Sequence, residues 1–518
     1  MQEPRKGAGE PKKLPLEHLE HQTEYTTCGT DTPFGLKLYI THNLWGKEVQ
    51  VCPARTRHAR GESSMSTASF AAELAALDLG DKRRKHRAVA MVKKMIQHPS
   101  GSIPETFRTH AEIKAVYRFL SSEAFETQEL QEALQQACRE RVRGERMVLA
   151  IQDTTNLEFP SSPALAEAAD GLWVHTTLAV SAEGIPLGLM HQQRWTRPAQ
   201  REPTAPQRRE RAVQDKESYR WLEGLRAVHA QVPGDTVVLT VTDREGDMFE
   251  MFAEPRPPNS ELLIRAGRNR RVAEAQKYVF EAAQAAPLAG ECKVLLRRRP
   301  ERPARLCRLQ VRLRELELQV PRNGRHDPRL QPQRVTAIWV QQVQAPSEEP
   351  PVQWLLLTTL PVPDLQAACQ CVRYYTLRWL IERLHYTLKS GCRLEDSQLR
   401  SQGALERLLV LYCAVAWRLL WMTYAARCNS TQPCSVAFSQ VEWQVLYRLR
   451  WDTQQPLPAE PPTLGEAVRW LARLGGFLDR RGDGEPGVKV LWRGLMHLHD
   501  IVIGVHLAHH SPEVVGNA

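Results

Sequence analysis

The chain has 518 residues, with 69 Lys and Arg against 59 Asp and Glu, a formal charge of +10 and a pI near 9.1. That length implies roughly two to four folding units with ample core, and the positive balance points to a polyanionic partner. No apolar run is read as long enough to span a bilayer, no secretory signal heads the chain, and the 11 cysteines include no C-x-x-C pair, which excludes membrane-spanning, secreted disulfide-framework and zinc-ribbon classes and leaves a cytoplasmic protein with reduced thiols.

Residues 1–64 are polar, rich in Gly, Pro and Lys, and lack sustained periodicity. They read either as a flexible basic arm or as sequence upstream of a natural start at Met65, the second being favoured. Poor order is expected in both cases. Residues 65–140 read as a small helical domain. Ala71–Leu79 is an apolar stripe broken by Gly80-Asp81, and Lys82–His98 is a basic amphipathic helix stopped by Pro99. Further helical patterns cover Glu112–Leu120 and Thr127–Arg141. The run Arg83-Arg84-Lys85 with Arg87 makes this a DNA-binding candidate, against the plainer reading of a solvated helix face.

From 141 to 254 the pattern changes to strands. Met147-Val-Leu-Ala-Ile-Gln-Asp153 and Thr236-Val-Val-Leu-Thr-Val-Thr-Asp243 are apolar runs that each end in a carboxylate. Such runs fit strands covered on both faces, and strand ends on one sheet edge are where sites are built. Leu172–Val180 and Ile185–Gln192 read as two more strands. Residues 255–345 read as an antiparallel β insertion with one wet face, rich in arginine: Arg265, Arg268, Arg270 and Arg271, then Arg297-Arg298-Arg299, then the alternating segment Arg305–Val320 and a β-rich run at Val335–Val343.

Residues 346–400 return to the first type. Trp354-Leu-Leu-Leu-Thr-Thr is a buried strand, and Asp364 is a candidate N-cap for a helix that Gly391 ends. At about 100° per residue, Tyr375, Arg378, Glu382 and Lys389 fall within an arc of about 60°, with Leu377, Leu380, Ile381, Leu384 and Leu388 on the opposite side. The plain reading is a solvated face with helix-stabilising charge pairs. The other is a scaffold presenting a polar site. Residues 401–510 are helical again: Leu405–Tyr424 is strongly apolar, a Pro-rich linker spans Gln455–Pro462, and helices follow at Gly465–Leu474 and Val490–Leu507.

Two Asp and one Glu held on strands and a helix form an oxygen donor set of the kind Mg²⁺ prefers, and two such ions about 4 Å apart serve phosphoryl transfer without a protein nucleophile. Arg378 and Lys389 would bind phosphates beside them. The sequence holds no P-loop, dinucleotide fingerprint, H-E-x-x-H or G-x-S-x-G. Tyr375 is conceivable as a recombinase-type nucleophile, but an acidic neighbour on the same face argues for phosphate contact instead.

Asp153-Thr-Thr, Thr242-Asp243-Arg-Glu-Gly-Asp247 and the Tyr375, Arg378, Glu382, Lys389 string together resemble the bacterial DDE transposases of the insertion-sequence-four family, the Tn-five transposase group above all. The resemblance runs over residues 66–507 and includes Leu79-Gly-Asp-Lys-Arg-Arg84, Leu172-Trp-Val-His175, Trp354-Leu-Leu-Leu-Thr and Ala472-Arg-Leu-Gly-Gly-Phe477. It implies an α/β, ribonuclease-H-like mixed-sheet core interrupted by the β insertion, an N-terminal domain that reads transposon ends and a C-terminal helical dimerisation domain. The implied activity is cut-and-paste transposition through nicking, hairpin formation and strand transfer, with two Mg²⁺ ions that Mn²⁺ can replace. The implied partners are inverted-repeat ends, target DNA and a second copy in a synaptic homodimer, and the implied location is the bacterial cytoplasm, on the nucleoid when DNA-bound.

By position, Asp153, Asp243 and Glu382 would hold the metals, and Tyr375, Arg378 and Lys389 would grip phosphates. Trp354 would stack on a flipped base, in place of a plain core role, and Arg265, Arg83 and Arg84 would contact the ends. The sequence departs from the family at Lys82, where a proline is expected, and in residues 1–64. A catalytically inactive DNA-binding relative is the alternative, and a simple metal-dependent nuclease a third option; the complete acidic set favours the active enzyme.

Overall fold

The computed structural model describes residues 41–43, 46–48, 78–165, 168–198, 213–273, 278–296, 305–322, 330–344, 350–451 and 455–510. The chain divides into two units, Met1–Glu62 and Ser63–Ala518. In the first, β1 (Thr41–Asn43) pairs antiparallel with β2 (Gly46–Glu48), a departure from uniform disorder. The rest of that expectation lies outside the described residues, as do most of the Ala71–Leu79 stripe and the cluster Arg297–Arg299.

Among the described residues, four helices come first in the second unit. In α1 (Lys82–Gln97), Ala88, Met91, Val92, Met95 and Ile96 are buried, a single apolar stripe, and the Asp81 side chain caps the first turn by accepting from Arg83 N at 2.7 Å. The short α2 (Ile103–Thr106), α3 (His110–Leu120) and α4 (Thr127–Val142) follow.

One nine-stranded sheet forms the middle of the molecule, in the order β5-β4-β3-β6-β7-β11-β10-β9-β8. Strands β3 (Met147–Leu157), β4 (Ala168–Ser181) and β5 (Pro186–Pro198) are an antiparallel meander, while β6 (Val237–Thr242) runs parallel to β3, and β7 (Ser260–Arg265) parallel to β6. Parallel neighbours need crossovers; α5 (Arg220–His229) precedes β6, and α6 (Phe249–Ala253) joins β6 to β7. Three antiparallel strands followed by two parallel to the first is the ribonuclease-H-like order.

Alternation along β3 assigns its faces. Leu149 and Ile151 belong to the large core formed with the later helices, whereas Val148 and Ala150 pack with Val142 of α4 and Val228 of α5.

The segment 255–345 differs from a self-contained insertion. Its first strand, β7, is the fifth strand of the core, because Leu262, Leu263 and Ile264 are buried on both faces in the manner of a parallel strand. After the helix α7 (Val279–Gln284), strands β8 (Leu288–Leu296), β9 (Arg305–Leu318) and β10 (Gln333–Gln342) are antiparallel, as expected, but β11 (Gln353–Thr358) pairs with both β10 and β7 and merges them into the same sheet.

The chain then enters α8 (Leu365–Leu377) and α9 (Trp379–Tyr386), and α10 (Gln402–Cys428) crosses the core. At 27 residues α10 is long and apolar enough to cross a membrane, contrary to the sequence reading, yet its most apolar stretch is wholly buried in the protein. Its hydrophobicity is spent on the core. Helices α11 (Gln440–Trp451), α12 (Leu464–Leu474) and α13 (Val488–His510) complete the unit.

Candidate active site

Strand register places the two aspartates. Ile151 of β3 is paired with Val241 of β6; two residues further on stand Asp153 and Asp243. Neighbouring strands lie about 4.8 Å apart and residues two apart share a face, so the carboxylates sit side by side. Asp243 falls just past the end of β6, where its Oδ1 accepts from Glu245 N at 2.8 Å and tightens the turn. Gly246 makes that turn possible: a Cβ there would lie 2.6 Å from Thr242 Oγ1 and 2.7 Å from Thr242 Cβ. Gly246→Ala is therefore expected to cost about 1–3 kcal/mol in a urea melt and to displace Asp243; an unchanged melt would refute the crowding.

Glu382 arrives from the helices. Asp364 caps α8 by accepting from Ala367 N at 2.8 Å. Arg378 is the joint between α8 and α9, and its guanidinium lies between two carboxylates: Nη1 is 3.4 Å from Asp153 Oδ2, and Nη2 donates to Glu382 Oε1. The Arg378 and Asp153 side chains are 10% and 15% exposed, and Glu382 is 51% exposed. Burial pushes the Asp153 carboxyl up to about 7, against the pull of Arg378, with Asp243 and Glu382 adding to the rise.

The continuous helix expected from Tyr375 to Lys389 is interrupted. A break falls at Arg378, and Thr387–Gly391 forms a π turn in which Cys392 N donates to Thr387 O, five residues back, at 2.7 Å. Close packing explains the wide turn: a Cβ on Gly391 would lie 2.9 Å from the Trp492 ring. A constant 100° step therefore fails beyond Tyr386. The leucine seam holds, with Leu380, Ile381, Leu384 and Leu388 buried, but Tyr375 and Arg378 are buried as well, so the second face is not uniformly wet.

Tyr375 packs edge-on against Trp354 of β11, ring centroids 5.3 Å apart, with the charge of Arg265, at the end of β7, acting on its phenol. Arg265 Nη2 also reaches Gln353 O at 3.4 Å. Burial raises the Tyr375 phenol above its ordinary range, with Asp243 adding to the rise against Arg378 and Arg265. It stays a protonated donor, unlike an activated nucleophile. Lys389 Nζ lies 3.5 Å from Glu395.

The two remaining basic residues differ. Arg83 is exposed on α1, but Arg84 donates from Nη1 to the carbonyls of Leu79 at 2.9 Å and Ala124 at 3.3 Å. It ties the start of α1 to the loop before α4.

Sequence reasoning missed the groups behind β3. The fully buried His175 meets Thr154 Oγ1 at 2.9 Å through Nδ1. In the amide orientation that pairs every neighbour, Gln152 donates to Trp221 O and His175 Nε2 and accepts from Leu225 N. Arg220 donates through Nε to Thr154 Oγ1 at 3.1 Å. No periodicity marks these residues; the strings Asp153-Thr-Thr and Leu172-Trp-Val-His175 contain Thr154 and His175 without giving either a role. His385, on the buried side of α9, is pushed down to about 3 by burial, with Lys389 and Arg378 adding, and is uncharged.

Three family models match in chain order: transposase DNA-binding over residues 66–125, transposase DDE domain over 198–418, and transposase Tn5 dimerisation domain over 414–514. The chain belongs to the Tn5-like DDE transposases. The DDE match covers Asp243, Arg265, Trp354, Tyr375, Arg378, Glu382 and Lys389, whereas Asp153 precedes it. Among solved structures, a piggyBac transposase synaptic complex with hairpin DNA is similar at 9% identity over 72% of this chain and 70% of that one, with a TM-score of 0.28. DDE domains use divalent cations as a class. The transposase offers three carboxylates of the right chemistry. Among the described residues, however, no three His, Cys, Asp or Glu side chains converge on one point; Arg378 stands between Asp153 and Glu382.

Proposed function

We propose that this transposase binds the ends of its element and carries out Mg²⁺-dependent nicking, hairpin formation and strand transfer. The observation that carries the reading is the alignment of Asp153 and Asp243 on adjacent parallel strands, with Glu382 joined to Asp153 through Arg378. Asp153, Asp243 and Glu382 would hold two Mg²⁺ ions, for which Mn²⁺ can substitute. Bound there, divalent cations supply Lewis-acid activation of the attacking oxygen and charge for the leaving one. The Arg378 guanidinium, placed between Asp153 and Glu382, would hold a DNA phosphate beside them, for which its planar fork is suited. Tyr375 and Lys389 hold further phosphates, and Arg265 contacts the end.

Water attacks phosphorus at the element end and the 3′-oxygen leaves, taking up a proton. The hydroxyl so freed attacks the opposite strand and displaces the flanking 3′-oxygen, which closes a hairpin. Trp354, already beside Tyr375, takes the unpaired base by stacking. A second water attacks the hairpin phosphorus and the element's 3′-oxygen leaves again, taking up a proton; that 3′-hydroxyl then attacks a target phosphorus and displaces the target's 3′-oxygen. Residues 65–140 read the ends, 401–510 dimerise, and 141–254 with 346–400 do the chemistry, flanking the segment 255–345.

The test incubates the full chain with Mg²⁺ and DNA carrying its element's ends. Nicks and hairpins that vanish in Asp243→Ala support the active enzyme; end binding without cleavage by the unaltered protein would establish the inactive relative instead.

End recognition gives a separate prediction. Arg83→Ala should weaken end binding by about 1–3 kcal/mol or lower the salt slope by about one. Arg84→Ala should lower the melting temperature, because two backbone carbonyls lose their donor. Equal effects of the two on binding, with no change in melting, would contradict this division.

A further inference from the structure

A second guanidinium reaches the end of β3 from the face opposite Arg378. Arg220 opens α5, and the face follows from alternation: Asp153 lies with Ile151, whereas Thr154 lies with Ala150, towards α5. Its Nε donates to Thr154 Oγ1 at 3.1 Å, Nη1 to Glu217 O at 2.8 Å, and Nη2 reaches Glu245 Oε2 at 3.4 Å. Thr154 follows Asp153 directly, and Glu245 belongs to the turn that Asp243 closes. One side chain thus spans both carboxylate-bearing segments.

We propose that Arg220 is a positioning residue that holds the end of β3, and so Asp153, against the Asp243 turn. The inference rests on the functional reading above. Arg220 is itself held rigidly. Its guanidinium lies 5.6 Å from the ring centroids of both Trp195 and Trp221. Glu217, whose carbonyl it grips, is pinned by Trp195 Nε1 at 3.1 Å and Arg197 Nη2 at 2.8 Å. Behind Thr154, His175 and Gln152 close the network against α5, which approaches closely because Gly224 has no side chain: a Cβ there would meet the Gln152 amide at 2.8 Å.

A packing role alone does not account for a cation here. Arg220 is 13% exposed, while its two carboxylate partners, Glu245 at 3.4 Å and Glu217 at 4.0 Å, are 63% and 37% exposed and screened by water. A buried charge whose closest acceptors are a hydroxyl and a carbonyl carries a desolvation cost that methionine would avoid. What methionine cannot do is span Thr154, Glu217 and Glu245 at once.

The test compares Arg220→Met and Arg220→Lys with the unaltered full chain. Hydrogen exchange is followed at residues 154–157 and 244–247, end binding by gel shift, and single-turnover nicking at saturating end DNA with Mg²⁺. With Arg220→Met, exchange should rise in those two segments and not in α10, end binding should stay within about twofold, and nicking should fall about 100-fold, with Lys recovering about tenfold. Wild-type exchange and nicking in Arg220→Met would overturn the proposal, as would a rise spread over the whole sheet. Failure of the unaltered protein to nick would strike the functional reading, while the exchange data would still decide whether Arg220 holds the two segments.

Discussion

Asp153→Asn is expected to raise the stability of the metal-free protein at pH 8 while lowering cleavage about 10⁴-fold. Burial lifts the Asp153 carboxyl from an ordinary 3.8 to about 7, so the fold disfavours its ionised form. For a group raised on folding, the favourable contribution is complete below the ordinary value and is lost as pH rises through about 7. A shift of this size limits the penalty at pH 8 to about 4 kcal/mol. Asparagine removes this penalty, in which the attraction of Arg378 is already counted, but leaves the buried Arg378 with only Glu382 as counter-charge, so a net gain of about 1–3 kcal/mol is expected. Urea melts at pH 8 and pH 5 check this. The gain should appear at pH 8 and shrink at pH 5, where Asp153 is already neutral in the folded protein; a loss of stability at both would show that the carboxylate is no burden to the fold.

Removing the cation instead of the anion should have the opposite sign. Arg378→Ala leaves the Asp153 carboxylate in its sheltered place without a counter-charge, and breaking one side of a buried pair costs about 3–5 kcal/mol. The Glu382 arm is half-exposed and adds little, so about 2–4 kcal/mol is expected at pH 8. At pH 5 the cost should shrink, because a neutral Asp153 needs no partner. Cleavage should fall as well, through the lost phosphate contact. A pH-independent destabilisation would mean that Arg378 contributes packing, not charge.

These two variants show which parts of the site were legible in the sequence. Apolar runs that end in Asp153 and Asp243 could be read directly, because a strand covered on both faces leaves no polar residues until it emerges. The helix carrying Glu382 was legible through its leucine seam. Its break at Arg378 and the π turn after Tyr386 were not, because helical projection assumes a constant step, whereas contact between Gly391 and Trp492 sets the local winding. The merging of β7 with β11 was hidden for a related reason: their pairing joins residues such as Ile264 and Leu357 that are far apart in sequence. Arg84 looked like its exposed neighbour until Ala124, 40 residues away, supplied its acceptor. Arg220 carried no local signal, since its meaning lies in Thr154 and Glu245.

Asp153, Asp243 and Glu382 are proposed to hold divalent cations at the end of the sheet. Anomalous scattering from Mn²⁺ in crystals of the full chain with its end DNA tests it most directly. Mn²⁺ peaks bounded by these three carboxylates are expected, with the Arg378 guanidinium displaced from Asp153 towards a DNA phosphate. Mn²⁺ bound elsewhere, with Arg378 still paired to Asp153 and Glu382 in a cleavage-competent complex, would contradict it.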